Sequence, residues 1–570
     1  MTDRRTDERL SRDIGPTGPT DAAYRSSESS EGKGVASVVV IATTVSLAVN
    51  VLALCASHLW LYPDSRWYIA LAVDVADRFD FGNELFLLRN PGYPLLLAGV
   101  FRVFGPWSPT AILVLQHAMA AGIAVLTTLT AWHVCLRRDV ALIGGLLCAC
   151  NLELLAFANV LMAEIPYTLA LTASAYFLVK YLRLGRAPLL GWASALAGVS
   201  CLFRPVGFSL VGICLVAAWY ETWRMRRDER LCEAAASRCA ACSTHPLRRR
   251  GLRTSWWHLA TGTALAMVPG ITLVLPWAMY KSSAHPTADF TAGPLGLAMY
   301  CRAVAVEGLE PPNGEAIADI RAVVAEAKRL GHIGSNARYT DWVSVWTAYA
   351  AVRNASFAQA SAVMGEVGKE LFFEHAGLIA RRTPTHMARN LLMPDDTYRF
   401  QPGGVMGDGN TLAKGADIFD TATYEPMARS DLEPLQHYLP LPSEPRAMTP
   451  VWTAIARWFY KHVDQGPPII GLADTPYEEF VWLCIIGGMY SLLTRERIAW
   501  LVVGGVVFLQ IFVNSLLAAT QPRYAIPTQP LMYLYAALLL VAVIRTVGMA
   551  IRACYASLHL RYGRPEESHA

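Results

Sequence analysis

The chain has 570 residues, of which 54% are hydrophobic and 16% are charged, and its mean hydropathy is +0.31. About a quarter of the residues of a soluble domain are usually charged, so this composition excludes an ordinary cytosolic enzyme and a disordered or fibrous protein. It indicates a protein embedded in a lipid bilayer. The net charge of +4 gives no indication of a nucleic-acid partner, which would require basic residues concentrated on one surface.

The apolar runs predict membrane spans. Residues 1–34 carry too few apolar side chains to form a core and are predicted to be a disordered tail. The run from Val35 to about Trp60 is long enough to cross the bilayer and lacks a cleavage signature, which predicts an uncleaved signal anchor. Nine further spans are predicted near 109–134, 140–160, 166–182, 188–203, 206–222, 257–277, 477–493, 498–519 and 526–547. The predicted fold class is therefore an all-α polytopic membrane protein with about ten transmembrane helices.

The basic residues predict the orientation, because Lys and Arg in short loops are retained on the cytoplasmic side. Every second loop is basic, starting with the N-terminal tail and ending with the C-terminal tail. Both termini are thus predicted to be cytoplasmic. The protein is predicted to lie in the cell or inner membrane. The apolar segment 91–104 is short and is interrupted by Arg102, so we predict a juxtamembrane helix; if it crosses the bilayer, all later loops change sides.

This topology divides the chain into domains. A cytoplasmic tail (1–34) is followed by a membrane domain (35–277) with a first outer loop (61–109), an outer soluble domain (278–476), C-terminal membrane helices (477–547) and a second cytoplasmic tail (548–570). Within the outer domain, apolar periodicity predicts amphipathic helices near 313–331, 340–365 and 367–393. Among the twelve cysteines only Cys301 lies in an outer segment, so no disulfide is expected to hold this domain.

Charged and aromatic residues gather at the predicted outer ends of the spans. They are Asp64, Tyr68, Asp74, Arg89, Glu164, Arg204, Lys281, Arg523 and Tyr524. Ionisable groups near a bilayer are costly unless they are paired, hydrated or used. Their common depth therefore predicts one outward-facing site.

Five segments near this face are distinctive: PDSRWYIALAVDVADRF (63–79), LLRNPGYPLLLAGVFRVFG (87–105), AEIPYTLAL (163–171), CLFRPVGF (201–208) and QPRYAIPTQPL (521–531). Together they resemble the integral-membrane glycosyltransferases of the C fold class, and in particular the group of protein O-mannosyltransferases and lipid A aminoarabinose transferases. The resemblance covers the membrane part and little of 290–470. It implies transfer of a hexose or pentose from a polyprenyl-phosphate donor to a protein, lipid or glycan acceptor on the outer side of the membrane.

Asp64 matches the catalytic Asp of the family, so the resemblance makes it the candidate general base that takes the proton of the acceptor hydroxyl. By spacing alone, an Asp that caps a helix beginning near Ser65 is an equally common arrangement. Asp74 and Asp77 are the alternative bases.

The candidates for binding the donor phosphate are the cations at the outer span ends: Arg204, Arg523, Arg89 and Lys281. A guanidinium can contact two phosphate oxygens and stabilise the charge of the leaving group, although each Arg can instead extend to lipid head groups. Glu164 is a candidate for orienting the sugar, holding a divalent cation or pairing with an Arg, or it complements a helix dipole. Tyr68 and Tyr524 are further candidates for orienting the substrate.

Cofactors receive little support from the sequence. It contains no P-loop and no dinucleotide fingerprint, so direct use of ATP or NAD is not predicted, and a divalent cation is left open. Cys232, Cys239, Cys242 and His245 are residue types that bind zinc, but their spacing lacks two paired halves. A chance cluster is therefore favoured over a metal site, and none is assigned.

Two other functions stay open. A lipid or solute transporter without covalent chemistry would need ionisable groups deep in the spans, where the main polar residues are Asn50, Gln116 and His117. A non-catalytic scaffold would bind partners through 278–476.

Overall fold

The structure is a computed structural model of the 570-residue chain. It describes residues 19–56, 64–105, 108–238, 251–284, 294–310, 314–392, 466–517 and 524–562, together with a few positions between 451 and 464. Within these ranges the chain forms helices joined by turns and loops, and it forms no β-sheet. The all-α fold class is therefore confirmed.

The first helix, α1 (Pro19–Ala56), contains the predicted first span and begins inside the segment 1–34 that was predicted to be a disordered tail. The polar residues 19–34 extend an apolar helix that already exists, and extension costs far less than nucleation. Residues 1–18 lie outside the described ranges.

The first outer loop folds into α2 (Ser65–Arg78), a 3₁₀ turn (Glu84–Leu87) and α3 (Gly92–Phe104). α3 coincides with the predicted juxtamembrane helix. Its 13 residues extend about 20 Å, which is shorter than the hydrocarbon core of a bilayer, about 30 Å.

The chain then forms α4 (Pro109–Cys135), α5 (Arg138–Ala149), α6 (Leu152–Ala158), α7 (Glu164–Leu184), α8 (Ala187–Phe203), α9 (Ser209–Arg238) and α10 (Gly251–Ala284). The outer segment contains α11 (Pro294–Tyr300), which continues as a π-helical turn (Cys301–Val306), and α12 (Glu315–Arg329), α13 (Trp342–Arg353), α14 (Phe357–Glu374) and α15 (Ala376–Leu392). The last helices are α16 (Pro476–Ser491), α17 (Arg497–Leu517) and α18 (Gln529–Tyr562).

Among the described residues, six helices are long and apolar enough to cross a membrane: Val35–Cys55, Thr110–Cys135, Pro205–Asp228, Trp257–Ala284, Arg497–Leu517 and Ile526–Ser557. The run predicted at 140–160 is a pair, α5 and α6, bent by 49°. The other predicted runs form α7, α8 and α16, which are shorter or less apolar and pack against those helices. The chain is thus an integral membrane protein.

The prediction of one helix over 340–365 is wrong. α13 ends at Arg353. The next residue, Asn354, has a left-handed φ of 50°, and the hydroxyl of Ser356 caps α14. Ser356 and Gln359 exchange side chain to backbone hydrogen bonds, which form a capping box. A left-handed residue followed by a capping box separates two helices whose apolar patterns are continuous.

Two basic residues of the predicted cytoplasmic loops, and Arg545 near the end of the span predicted at 526–547, lie at one end of the membrane helices. Arg137 and Arg545 both pair with Asp139, at 3.2 and 2.6 Å. Arg183 donates a hydrogen bond to the carbonyl of His133 at 3.3 Å. Helix ends that are far apart in the sequence therefore lie together, as the alternating topology requires.

The first outer loop and the outer helices share one hydrophobic core. Trp67 of α2 packs edge-on against Trp342 of α13, with 6.1 Å between ring centroids. The carboxylate of Glu84 accepts a hydrogen bond from the backbone N–H of Phe357 at 2.7 Å. The same core continues to the ends of α4 and α7, so the loop is held between the outer helices and the membrane helices.

Candidate active site

Asp64 immediately precedes α2 and forms an ion pair with Arg89, with 2.6 Å between Oδ1 and Nη2. Although Asp64 occupies the capping position of α2, its carboxylate makes no capping hydrogen bond. The hydroxyl of Ser65 donates a hydrogen bond to the carbonyl of Leu161 at 2.8 Å, which fixes the start of α2 beside the start of α7. The Asp64 carboxylate is thus directed to Arg89 and not to its own helix.

Arg89 lies on two aromatic rings of α2. Its guanidinium carbon is 4.6 Å from the ring centroid of Trp67 and 5.5 Å from that of Tyr68. These aromatic residues follow Asp64 by three and four positions, so one helical turn brings all three side chains to the same face. Cation–π contacts of this kind hold the guanidinium against the carboxylate.

The turn after Arg89 brings the first outer loop close to Arg204. The side-chain amide of Asn90 donates to the carbonyl of Cys201 at 2.6 Å. A Cβ atom at Gly92 would lie only 2.7 Å from the carbonyl oxygen of Leu202, so this approach requires glycine. The Pro-Gly-Tyr-Pro segment therefore turns the chain against the end of α8.

Glu164, at the start of α7, forms an ion pair with Arg204, which follows α8. Glu164 is fully buried, and its Oε2 has no hydrogen-bond partner among the described residues. The guanidinium carbon of Arg204 lies 5.8 Å from the ring of Tyr167 and 5.5 Å from the ring of Tyr524. Arg204 thus occupies an aromatic setting like that of Arg89.

Tyr68 joins the two ion pairs. Its ring packs edge-on against Tyr93, with 5.0 Å between centroids. Burial raises the pKa of the Tyr68 phenol, and the charges of Arg89, Glu164, Asp64 and Arg204 all act on it. At neutral pH the phenol is therefore protonated and able to donate a hydrogen bond. The hydrogen bonds from Ser65 to Leu161 and from Asn90 to Cys201 bring the chain segments of the two ion pairs together.

Not every candidate cation reaches this cluster in the described part of the chain. The Lys281 ammonium donates to the carbonyl of Leu87 at 2.9 Å, which places it on the same loop as Arg89 but on a backbone partner. Arg523 lies outside the described residues. The alternative base Asp74 pairs with Arg78 at 2.9 Å, near the other end of α2.

The polar residues predicted inside the spans are hydrogen-bonded. The hydroxyl of Tyr93 donates to Gln116 at 2.6 Å, and His117 contacts Asn50 at 2.9 Å and Asn159 at 3.2 Å. These contacts join helices. Tyr93 itself is completely buried.

Sequence reasoning missed three residues near this end of the molecule. Trp67 and Tyr167 each follow a candidate carboxylate by three helical positions, and that spacing was the available signal. Glu153 is buried and accepts a hydrogen bond from Gln529, the first residue of α18. An ionisable residue within a predicted span was the signal there.

In the part of the chain that the structure describes, no three His, Cys, Asp or Glu side chains form a group that could hold a metal ion. Cys239, Cys242 and His245 lie outside the described residues, as does the side chain of Cys232.

The chain matches no family model and no curated protein. Among solved structures, the oligosaccharyltransferase of Archaeoglobus fulgidus in complex with zinc and sulfate matches with a TM-score of 0.42 and 9% identity, over 92% of this chain and 51% of that chain. The archaeal oligosaccharyltransferase AglB from A. fulgidus, in complex with an inhibitory peptide and a dolichol-phosphate, gives 0.41 and 12% identity, over 94% and 52%. ArnT from Cupriavidus metallidurans bound to undecaprenyl phosphate gives 0.35 and 12%, over 88% and 76%.

The chain spans about half the length of the archaeal structures that it matches. It is thus similar to these oligosaccharyltransferase and ArnT structures, at 9–12% identity. At TM-scores below 0.5 this similarity identifies no residue and no substrate of the chain.

Proposed function

We propose that the chain is a glycosyltransferase that moves a sugar from a polyprenyl-phosphate donor to an acceptor on the non-cytoplasmic side of the membrane. The observation that carries this proposal is the meeting of two carboxylate–arginine pairs, Asp64 with Arg89 and Glu164 with Arg204, around Tyr68. Paired charges under aromatic rings at the ends of membrane helices provide both a base and anion-binding groups.

Asp64 is the proposed general base. Its ionised carboxylate takes the proton of the acceptor hydroxyl while that oxygen attacks the anomeric carbon. The bond between the anomeric carbon and the phosphate oxygen breaks, and its electron pair leaves with the polyprenyl phosphate. Attack opposite the leaving phosphate inverts the anomeric centre. Arg89 orients the carboxylate until the acceptor arrives.

Arg204 is the proposed phosphate-binding residue. Negative charge on the phosphate increases as the glycosidic bond breaks, and a fixed guanidinium lowers the energy of that state. Glu164 accepts a hydrogen bond from the Nη2 of Arg204, and the planar guanidinium has further N–H donors for phosphate oxygens. The unpartnered Oε2 of Glu164 is suited to accept a hydrogen bond from a sugar hydroxyl, and the protonated phenol of Tyr68 is suited to donate one.

The proposed orientation follows from charge. The basic loops lie at the opposite end of the helices, around Asp139, and basic loops are retained in the cytoplasm. The site then faces the outside, where nucleotide-activated sugars are absent and a lipid-linked donor, activated on the inner side, is accessible.

The test is transfer by Asp64→Asn in liposomes that contain a polyprenyl-phosphate sugar. We expect membrane insertion to be intact and transfer to fall by at least about a hundredfold, because general-base catalysis contributes factors of this size. Asp74→Asn is the matched control, since Asp74 lies in the same outer loop and is also paired with an Arg. Mass spectrometry of the glycoconjugates of a deletion strain would then identify the sugar and the acceptor.

Two results would contradict the proposal. Near-normal transfer by Asp64→Asn would place the base elsewhere. Movement of a lipid or solute across the membrane by the unaltered protein, with no covalent product, would favour the transporter function.

A further inference from the structure

The loop of residues 466–475, immediately before α16, exposes large apolar side chains. Ile469 is 81% exposed and Ile470 is 61% exposed, and Leu472 is also on the surface. Contiguous apolar side chains on a surface usually mark a binding site for a partner or a membrane.

The carboxylate of Glu479 holds this loop in one conformation. Its oxygens accept hydrogen bonds from the backbone N–H groups of residues 469, 470, 471 and 472, at 2.8, 2.7, 2.6 and 3.2 Å. Glu479 is itself buried, and Gly471 has a φ of +80°, which allows the tight turn. Because the backbone N–H groups are bound to the buried carboxylate, the isoleucine side chains point outwards and stay exposed on the surface.

The position of Glu479 defines the depth of the loop. Glu479 lies in the first turn of α16, so the loop runs beside that turn. α16 packs against α18, with Phe480 against Tyr533 and Gly487 against the carbonyl of Tyr535. Phe480 follows Glu479 and contacts Tyr533, four residues after the start of α18, so the loop lies near the beginning of that helix.

α16 also exposes apolar side chains. Trp482, Ile485 and Met489 are exposed on this helix, and Met489 is 66% exposed. In a membrane protein such a helical strip faces acyl chains. We propose that Ile469 and Ile470 insert into the outer leaflet of the bilayer and seat the outer domain on the membrane, with Glu479 as the residue that presents them. Side chains at this depth bury apolar area about 5–10 Å below the head groups.

The experiment places p-benzoylphenylalanine at position 469 or 470 of the full-length protein in liposomes of phosphatidylethanolamine and phosphatidylglycerol. After ultraviolet irradiation, covalent phospholipid adducts are measured by mass spectrometry. Position 489 is the lipid-exposed reference, and position 366, an exposed Glu on α14, is the water-exposed control. We expect adducts at 469 and 470 within about twofold of position 489 and at least about tenfold above position 366.

Adducts with peptides of residues 393–450 or with a second copy of the chain would overturn the proposal. The absence of any lipid adduct would overturn it as well. Glu479→Gln should lower the lipid adduct at position 470 about threefold or more, because a neutral amide is a weaker acceptor of four N–H groups. Glu478→Gln is the matched control, since Glu478 accepts one N–H from this segment, that of Asp474 at 3.0 Å. These measurements require no sugar transfer, so their outcome and that of the Asp64 experiment are independent.

Discussion

Two ion-pair clusters use the same kinds of side chain in different ways. In the candidate site, Asp64 and Arg204 remain 15% and 14% exposed, and one carboxylate oxygen of Glu164 has no partner among the described residues. In the outer helices, Glu307 is 1% exposed, with Arg302 at 2.5 Å from one oxygen and Arg382 at 2.5 Å from the other. His386 also contacts this carboxylate, at 3.2 Å.

The difference indicates which cluster can receive a ligand. Arg382 and His386 belong to α15, whereas Arg302 and Glu307 lie in and after the π-helical turn that follows α11. The Glu307 cluster therefore ties α15 to α11 and has no open carboxylate oxygen. The site cluster joins four separate chain segments and keeps partly exposed donors and acceptors. The first should determine stability and the second activity.

The largest expected effect is on stability, in Glu307→Gln. Removal of one partner from a buried ion pair leaves the other charge uncompensated, here the fully buried Arg302, and costs about 3–5 kcal/mol. Hydrogen exchange of residues 294–392 should increase, while transfer per folded molecule stays unchanged. Glu326→Gln, which removes an exposed pair with Arg329, should alter neither. A loss of transfer per folded molecule in Glu307→Gln would contradict the division between the clusters.

The next effect is on activity, in Arg204→Gln. Loss of a cation that binds the leaving phosphate should lower kcat/KM about a hundredfold, or about 2.7 kcal/mol. Arg224→Gln, which breaks an ion pair with Glu221 at the opposite end of the membrane helices, should transfer sugar normally. Because Arg204→Gln leaves Glu164 buried and unpaired, the double variant with Glu164→Gln tests folding. If that double variant transferred at the normal rate, the phosphate would be bound elsewhere.

The sequence predicted at which end of the helices the candidate site lies, but it did not identify the ion pairs within that site. Alternating spans place Asp64, Glu164 and Arg204 at one end of the helices, because topology needs only apolar length and basic loops. Glu84 is the carboxylate nearest to Arg89 in the sequence, but it accepts a hydrogen bond from the backbone N–H of Phe357, 273 positions away. Such a contact depends on tertiary packing between segments without a shared local pattern.

The outer domain shows a second reason why prediction from the sequence was incomplete. The break between α13 and α14 was present in the sequence as Asn354, Ser356 and Gln359, a left-handed stop followed by a capping box. Apolar periodicity continued through it and concealed it. The contact between Trp342 and Trp67 had no signal at all, because neither residue is unusual within its own helix.

A smaller effect should follow from pH. Burial, with Arg302 nearby, lowers the pKa of His386 from its ordinary 6.5, so the unfolded chain binds a proton more readily than the folded chain. Stability should therefore decrease as the pH falls below 6.5, by at most about 1.4 kcal/mol per pH unit.

Protonation of Glu307 should lower the stability further at lower pH. Arg382 and Arg302 lower its pKa from 4.5, so the stability that its carboxylate provides is present above pH 4.5 and is lost as the pH falls through its folded pKa. Hydrogen exchange of residues 294–392 at pH 7.5, 6 and 5 measures the loss of stability that protonation of His386 causes. His386→Gln should remove this loss. A loss of the same size in His386→Gln would assign the titration to another group.

The smallest expected effect tests whether the outer helices influence the site at all. Trp342 packs on Trp67, Trp67 lies 4.6 Å beneath Arg89, and Arg89 pairs with Asp64. Trp342 is therefore a positioning residue that acts through Arg89. An aromatic pair contributes about 0.5–1.5 kcal/mol, so Trp342→Leu should lower kcat about threefold to tenfold, and Trp342→Phe should restore it.

Trp346 provides the matched control, because it lies one turn further along α13 and packs on Phe357 at 4.9 Å instead of on Trp67. Trp346→Leu should destabilise the outer helices and leave kcat per folded molecule unchanged. Equal losses of kcat in the two Leu variants would mean that α13 acts only through the stability of its own domain. A loss confined to Trp342→Leu, with Trp342→Phe active, would show that the outer helices orient the catalytic base, since both variants remove the same side-chain type from the same helix.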